Sequence, residues 1–264
     1  MSSDRWVAGD AYEYFMGRWS RQMASRFLNW LRPVPHSHWL EVGCGTGALS
    51  QAICRETQPR SFVACDPSPE FVSFAGKLTS DFPATFLVAD ADHLPSRDGG
   101  FDYIVSGLVL NFLPQPVQAV RSMKDRLRGG GTMAAYVWDY AEGMQFLRAF
   151  WDEVVGLDPS AATLDEGRRF PLCHPTALAD LFQRAGLDAV ATTPLDVPTV
   201  FSDFDDYWAP FLGGTGPAPA YVASLSDDAR AELRARLKRR LTHLPDTSIQ
   251  LTARAFGVRG SLSS

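Results

Sequence analysis

Three glycines at alternating positions, Gly43, Gly45 and Gly47, follow a short apolar run in WLEVGCGTGALS, with an acid at Glu41 just ahead of them. Glycine lets a backbone turn sharply and come close to a ligand, and a helix starting directly behind it presents free amides. The turn alone fits three readings: no ligand, a nicotinamide dinucleotide with Ala48 as the last small residue of its fingerprint, or another adenosine-bearing cofactor. Two more acids bear on the choice. Asp66 ends the next strand-like run, where a carboxylate can accept hydrogen bonds from both ribose hydroxyls. Asp90, followed by Ala91, ends the run after that, where a carboxylate can accept from an adenine amino group. Strand-end acids also serve turns, so each alone keeps both readings. Their order along the chain supports an adenosine ligand.

Short β-type runs must position these residues. They are His38 to Val42, Ser61 to Asp66, Thr85 to Asp90, Phe101 to Ser106 and Thr132 to Trp138, and they alternate with helical stretches. Such alternation predicts a parallel sheet covered by helices on both faces. Residues 10 to 31 carry apolar and aromatic side chains at helical spacing and end at Pro33 and Pro35, which predicts a lead-in helix. Ser68-Pro69 reads as an N-cap with proline at the first helical position. Further helices are expected at 142–156 and from Pro175 to a C′ glycine at Gly186, with strands at Asp188 to Val197 and Ile249 to Val258. A charged helix, Asp227 to Leu241, has acids at its start and bases at its end, which suits the helix dipole.

The chain has 264 residues, is 45% hydrophobic and carries a formal charge of -5, so one full core is expected and a broad basic field for nucleic acid or anionic lipid is not. No apolar run approaches a bilayer span, and the first ten residues lack the halves of a signal peptide. Cys44, Cys54, Cys65 and Cys173 form no CxxC pair and read as reduced thiols of a cytoplasmic protein. No zinc-like or oxygen-ligand spacing is present, so no metal is expected.

The stretches LEVGCGTG, VACDPS, VADADHLP and FDYIVSGLVLNFLP, followed by an LRGGG turn, occur in that order. Together they resemble the class I S-adenosylmethionine-dependent methyltransferases, most closely the subgroup that includes ubiquinone and menaquinone biosynthesis enzymes and many small-molecule methyltransferases. The resemblance covers roughly residues 38–139. It implies a doubly wound, Rossmann-like α/β fold whose seven-stranded, mostly parallel sheet has an antiparallel last strand, with an N-terminal helix and a late helical insertion as a lid. On that plan one methyltransferase domain comprises a cap helix (1–36), a cofactor-binding core (37–139), a helical insertion (140–173) and a C-terminal part of the sheet (174–264) with the lid at 199–247.

The implied cofactor is S-adenosylmethionine, with S-adenosylhomocysteine as product. By the same likeness Glu41, Gly43, Cys44, Gly45 and Gly47 lie near its methionine part and Asp66, with Pro67, near the ribose. Asp90 and Ala91 lie at the adenine, while Ser106 and Gly107 present backbone to the methionyl amino group. Asn111 stands where many relatives have histidine, a departure that bears on any acid/base role there. Arg18 is either a bidentate partner of the methionyl carboxylate or a surface arginine.

Methyl transfer from a sulfonium is an in-line displacement, so the protein has to orient an acceptor and exclude water. Tyr14, Trp19, Trp138, Tyr207, Trp208, Phe211 and Tyr221 are the expected aromatic walls of an acceptor pocket, or else core residues. A base is needed only for a poorly nucleophilic acceptor. His174 and Asp139 are the candidates, and a helix cap and a loop cap are their structural alternatives. The expected partner is a small organic molecule, with the protein a monomer or homodimer. The rival functions are an NAD(P)-dependent oxidoreductase and a non-catalytic adenosyl-ligand binding module.

Overall fold

The protein, seen in a computed structural model, is described over residues 16–213, 216–241 and 245–263. These residues fall into two compact units interleaved along the chain. A sheet unit comprises Ser20–Val137, Leu172–Leu195 and the chain from Ala255 onward; an aromatic unit comprises residues up to Trp19, Trp138–Pro171 and Asp196–Arg254.

The sheet unit begins in α1 (Arg18–Leu31) and alternates β1 (His38–Val42), α2 (Ala48–Thr57), β2 (Ser61–Asp66), α3 (Pro69–Leu78), β3 (Ala84–Val88), β4 (Phe101–Gly107) and α4 (Pro116–Lys124). Next come β5 (Leu127–Trp138), α5 (Gln145–Leu157), α6 (Glu166–Arg169), α7 (Pro175–Arg184) and β6 (Asp188–Phe201). The chain closes with α8 (Phe204–Trp208), α9 (Pro217–Ser224), α10 (Asp227–Arg240) and β7 (Ile249–Ser261). The 7-stranded sheet has the order β3-β2-β1-β4-β5-β7-β6. β1 pairs in parallel with β2 and β4, β2 with β3, and β4 with β5. β7 runs antiparallel to β5: Gly130 N donates to Leu262 O at one end and Asp139 N to Arg254 O at the other. This is the expected sheet with an antiparallel last strand.

Burial explains why these runs are strands. Trp39, Leu40, Glu41 and Val42 of β1 are all buried, as a central parallel strand covered on both faces requires. Trp39 stacks on Tyr103 of β4 at 4.6 Å. Ser68 caps α3, its hydroxyl accepting from Phe71 N, with Pro69 opening the helix. Gly186 follows α7 with φ 83°, the expected C′ glycine.

The expected turn before the fifth strand needs correcting. The segment LRGGG lies inside β5 and is not a turn before it. From Phe101 to Tyr103 on β4, the partners on β5 advance from Leu127 to Thr132, so the glycines take up the extra residues as a bulge. Gly130 N donates to Leu262 O and Gly131 O accepts from Leu262 N, so pairing with the distant tail keeps the glycines in the sheet. β6 and β7 likewise extend past the predicted Val197 and Val258, to Phe201 and Ser261.

Phe146 is the hub of the aromatic unit, stacked on Phe211 (4.6 Å) and Phe201 (5.6 Å) and packed against Trp19 (5.2 Å) and Tyr207 (5.3 Å). Phe150 stacks on Phe211 at 4.4 Å. No described helix is long and apolar enough to cross a membrane. Deleting the fully buried Phe146 ring leaves a cavity among all these neighbours. Phe146→Ala is therefore expected to lose about 3–5 kcal/mol in a denaturant unfolding curve.

Candidate functional site

The Gly43–Gly47 loop leaves β1 at the carboxyl edge of the sheet, the edge at which open α/β sheets bind ligands. Gly43 N and Cys44 N both donate to Cys65 O of β2, and all three glycines have positive φ. The reasons for glycine differ along the loop. A Cβ on Gly43 would lie 2.5 Å from Val109, so that position is closed by packing. A Cβ on Gly45 would meet nothing within 4 Å, so the loop turns its bare backbone toward open space. Gly47 then caps α2 and lies against Ala75 of α3.

Asp66, at the end of β2, ties the loop down. Its Oδ2 accepts from Gly45 N at 3.0 Å and its Oδ1 from Ser68 N at 2.9 Å. The carboxylate is buried, and this desolvation raises its pKa, opposed by the two backbone donors. Each oxygen keeps a lone pair for a further donor, which is what two ribose hydroxyls would supply. Pro67 lies between Asp66 and the Ser68 cap.

Glu41 sits behind the loop, 1% exposed, with Oε2 accepting from Ser50 Oγ at 2.5 Å. Burial pushes its pKa up to about 8, Ser50 opposes the shift and the nearby Asp66 charge adds to it. Ser50 escaped the sequence reading. A hydroxyl on the buried face of the helix that follows the loop was the available signal.

Asp90 does not end the third strand as expected: β3 stops at Val88, and Asp90 stands two residues beyond it, exposed, receiving His93 Nδ1 (2.8 Å), His93 N and Asp92 N on the single oxygen Oδ1. The His93 hydrogen bond is the main cause of its lowered pKa. Oδ2 is left for another donor, and Ala91 continues this turn. Ser106 ties β4 to β1 by donating to Val42 O (2.8 Å). Gly107 has no room for a side chain because Tyr136 OH would lie 2.7 Å from its Cβ. Leu108 follows in a left-handed conformation, φ 62°, held by its N–H on Tyr136 O. In the short helical turn at Leu110–Phe112, Asn111 Nδ2 is buried without a hydrogen-bond partner among the described residues. A buried amide donor left unmade costs about 1–3 kcal/mol, which a ligand acceptor would relieve. The open face of Gly45, the spare acceptor positions on Asp66 and Asp90, and this orphaned donor fit an adenosyl ligand bearing hydroxyl, amino and carboxylate groups.

All of these residues lie in the sheet unit, whereas most of the expected acceptor-side residues lie in the aromatic unit. Trp19, Trp138, Tyr207, Trp208 and Phe211 are buried, and Trp19, Tyr207 and Phe211 belong to the cluster around Phe146. Tyr207 OH donates to Phe146 O, and burial pushes that phenol's pKa upward. Tyr221 OH reaches Asp158 Oδ2 at 3.4 Å. Tyr14 lies outside the described residues. Arg18 forms an ion pair with Asp206 at 3.3 Å, over the faces of Trp19 and Phe201.

Asp139 Oδ1 accepts from Glu142 N, and its Oδ2 is 3.9 Å from Arg254. Exposed His174 caps α7, Nδ1 accepting from Thr176 N at 3.3 Å. Both therefore occupy the structural roles weighed for them. Among the described residues no group of three or more His, Cys, Asp or Glu side chains is placed to hold a metal.

Residues 40–135 match the sequence profile described as a methyltransferase domain. A malonyl-[acyl-carrier protein] O-methyltransferase of Herminiimonas arsenicoxydans is 32% identical over 48% of this chain and 46% of its own length. The chain spans less than half the length of the curated relatives it matches. In fold, the YcgJ protein of Bacillus subtilis superposes with a TM-score of 0.59 at 17% identity, over 92% of this chain and 99% of that one. A phosphoethanolamine N-methyltransferase of Haemonchus contortus, solved with phosphomonomethylethanolamine and S-adenosylhomocysteine, gives 0.57 at 15% identity, over 97% and 57%.

Buried Glu41 sets a pH dependence of stability. Its carboxyl keeps its proton in the folded chain up to about pH 8, while the unfolded chain releases it near the ordinary glutamate value. Between those two values the folded state binds more protons, so stability falls as pH rises, and the loss is complete above about 8. Glu41→Gln removes this contribution. The stability gained by the variant, read from melting or denaturant curves, is expected to grow from pH 5 to pH 8 by up to about 1.4 kcal/mol per pH unit.

Proposed function

We propose that this protein, whose residues 40–135 match the profile described as a methyltransferase domain, binds S-adenosylmethionine at the Gly43–Gly47 loop and transfers its methyl group to a small organic acceptor. The observation that carries the reading is the pairing of Gly45 with Asp66: bare backbone facing open space, held by a carboxylate with acceptor capacity to spare. When bound, the cofactor supplies an electrophilic methyl group on a sulfonium. The protein's part is to hold and orient.

Asp66 takes the ribose hydroxyls, Oδ2 of Asp90 takes the adenine amino group beside Ala91, and the backbone from Gly43 through Gly47 lies against the methionine chain. Ser106 and Gly107 present the end of β4 to the methionyl amino group, and Asn111 Nδ2 gives its unused hydrogen bond to the ligand. Buried Glu41, protonated below about pH 8, would back the loop as a neutral carboxyl held by Ser50.

Neither candidate base is idle. His174 Nδ1 caps a helix, leaving Nε2 as the atom that could take a proton, and Asp139 holds the loop after β5. We therefore favour an acceptor that is already nucleophilic, such as an amine, thiolate or enolate, with catalysis resting on orientation and exclusion of water. The aromatic residues around Trp138, Trp208 and Tyr221 are the proposed acceptor side, and the helices between β6 and β7 are the proposed lid. The cysteines are buried free thiols, which supports a reducing, cytoplasmic setting.

Isothermal titration with S-adenosylmethionine, S-adenosylhomocysteine and NADH tests the assignment. Both adenosyl ligands are expected to bind, and Asp66→Ala to weaken them at least tenfold. NADH binding in their place would overturn the reading, and tight cofactor binding with no turnover on an acceptor panel would leave only the binding module.

A further inference from the structure

A cleft of about 380 Å³ lies in the sheet unit away from the glycine loop, lined by Arg26, Asn29, Trp30 and Arg32 at the end of α1, by Thr193, Pro194 and Leu195 of β6, and by Arg259 of β7. Three arginines line it and no acid does. Arg18, Arg148, Arg234, Arg240 and Arg254 each sit within ion-pair distance of a carboxylate. Arg26, Arg32 and Arg259 make no ion pair among the described residues. The chain as a whole is acidic, at -5, so this cluster runs against its overall charge.

The cleft is built from both elements. Trp30 lies against β7 because Gly257 has no side chain: a Cβ there would lie 3.2 Å from the indole. The half-buried indole carries the Arg259 guanidinium over its ring at 5.1 Å, which fixes that side chain's direction. Arg32 terminates α1 in a left-handed conformation, φ 50°, its N–H on Leu28 O. Its charge suits the helix C-terminus. That explanation does not extend to Arg26, a turn and a half earlier, or to Arg259 on another element. Guanidinium forks match tetrahedral and planar oxyanions, and Asn29 adds a neutral amide donor at the same rim. The volume lies within the range of small-ligand sites.

We propose that this cleft binds a small molecule bearing a phosphate or pyrophosphate group, held by Arg26, Arg32 and Arg259. The inference is independent of the methyltransferase reading. It is tested by titrating the whole protein with inorganic pyrophosphate, and in parallel with succinate as a carboxylate anion of similar length, at 0.15 M salt, about physiological ionic strength. Saturable pyrophosphate binding is expected, tighter than succinate. Arg26→Gln/Arg259→Gln should weaken it at least tenfold without changing the melting temperature or the affinity for S-adenosylmethionine. If the double variant melts early, Arg32→Gln alone should still weaken pyrophosphate several-fold. Absence of saturable binding, equal binding of succinate, or binding retained in a folded variant would overturn the proposal.

Discussion

The carboxylate of Asp66 holds the end of β2, the glycine loop after β1 and the start of α3 in one arrangement through two backbone hydrogen bonds. The loop cannot hold this shape from its own sequence, because three left-handed residues in five are flexible in isolation. It depends on Asp66 from one side, Cys65 O beneath and Val109 packed into the space that Gly43 leaves. Burying a carboxylate costs free energy, and the two amide donors offset part of it. A second carboxyl, Glu41, lies behind the same loop and accepts from the Ser50 hydroxyl. The loop is thus backed by two buried carboxyls and faces open space with bare backbone, and the acceptor capacity left on Asp66 suits a ligand carrying hydroxyl groups.

The two units differ in what stabilises them. In the sheet unit, parallel strands bring the turns after β1, β2, β3 and β4 to one edge. The aromatic unit is stabilised by stacked rings around Phe146 and by ion pairs such as Arg148 with Asp165. Of the aromatic residues expected to wall an acceptor site, Trp19, Tyr207 and Phe211 contribute to this packing.

The parallel core was readable because strand runs, helix caps and turn glycines are local signals. Ser68-Pro69 and Gly186 did what their chemistry requires. The place of Asp66 at the end of β2 was readable for the same reason, since a strand end is marked by the turn beyond it. What the sequence hid depends on distant partners. The LRGGG segment reads as a turn by composition but is held in β5 by Leu262, more than a hundred residues away. Arg18 and Asp206 are separated by 188 positions, so their ion pair has no local trace. Ser50 was missed because only the fold shows which face of α2 lies against Glu41. The arginine cleft was missed because its members come from one helix and two late strands.

The most direct test of the central claim is a crystal structure of the protein with S-adenosylhomocysteine. The account predicts ribose hydroxyls on the Asp66 carboxylate, the adenine amino group near Asp90 and the amino-acid tail along Gly43–Gly47. An adenosyl ligand bound elsewhere, or a glycine loop that stays empty at saturating ligand, would contradict it.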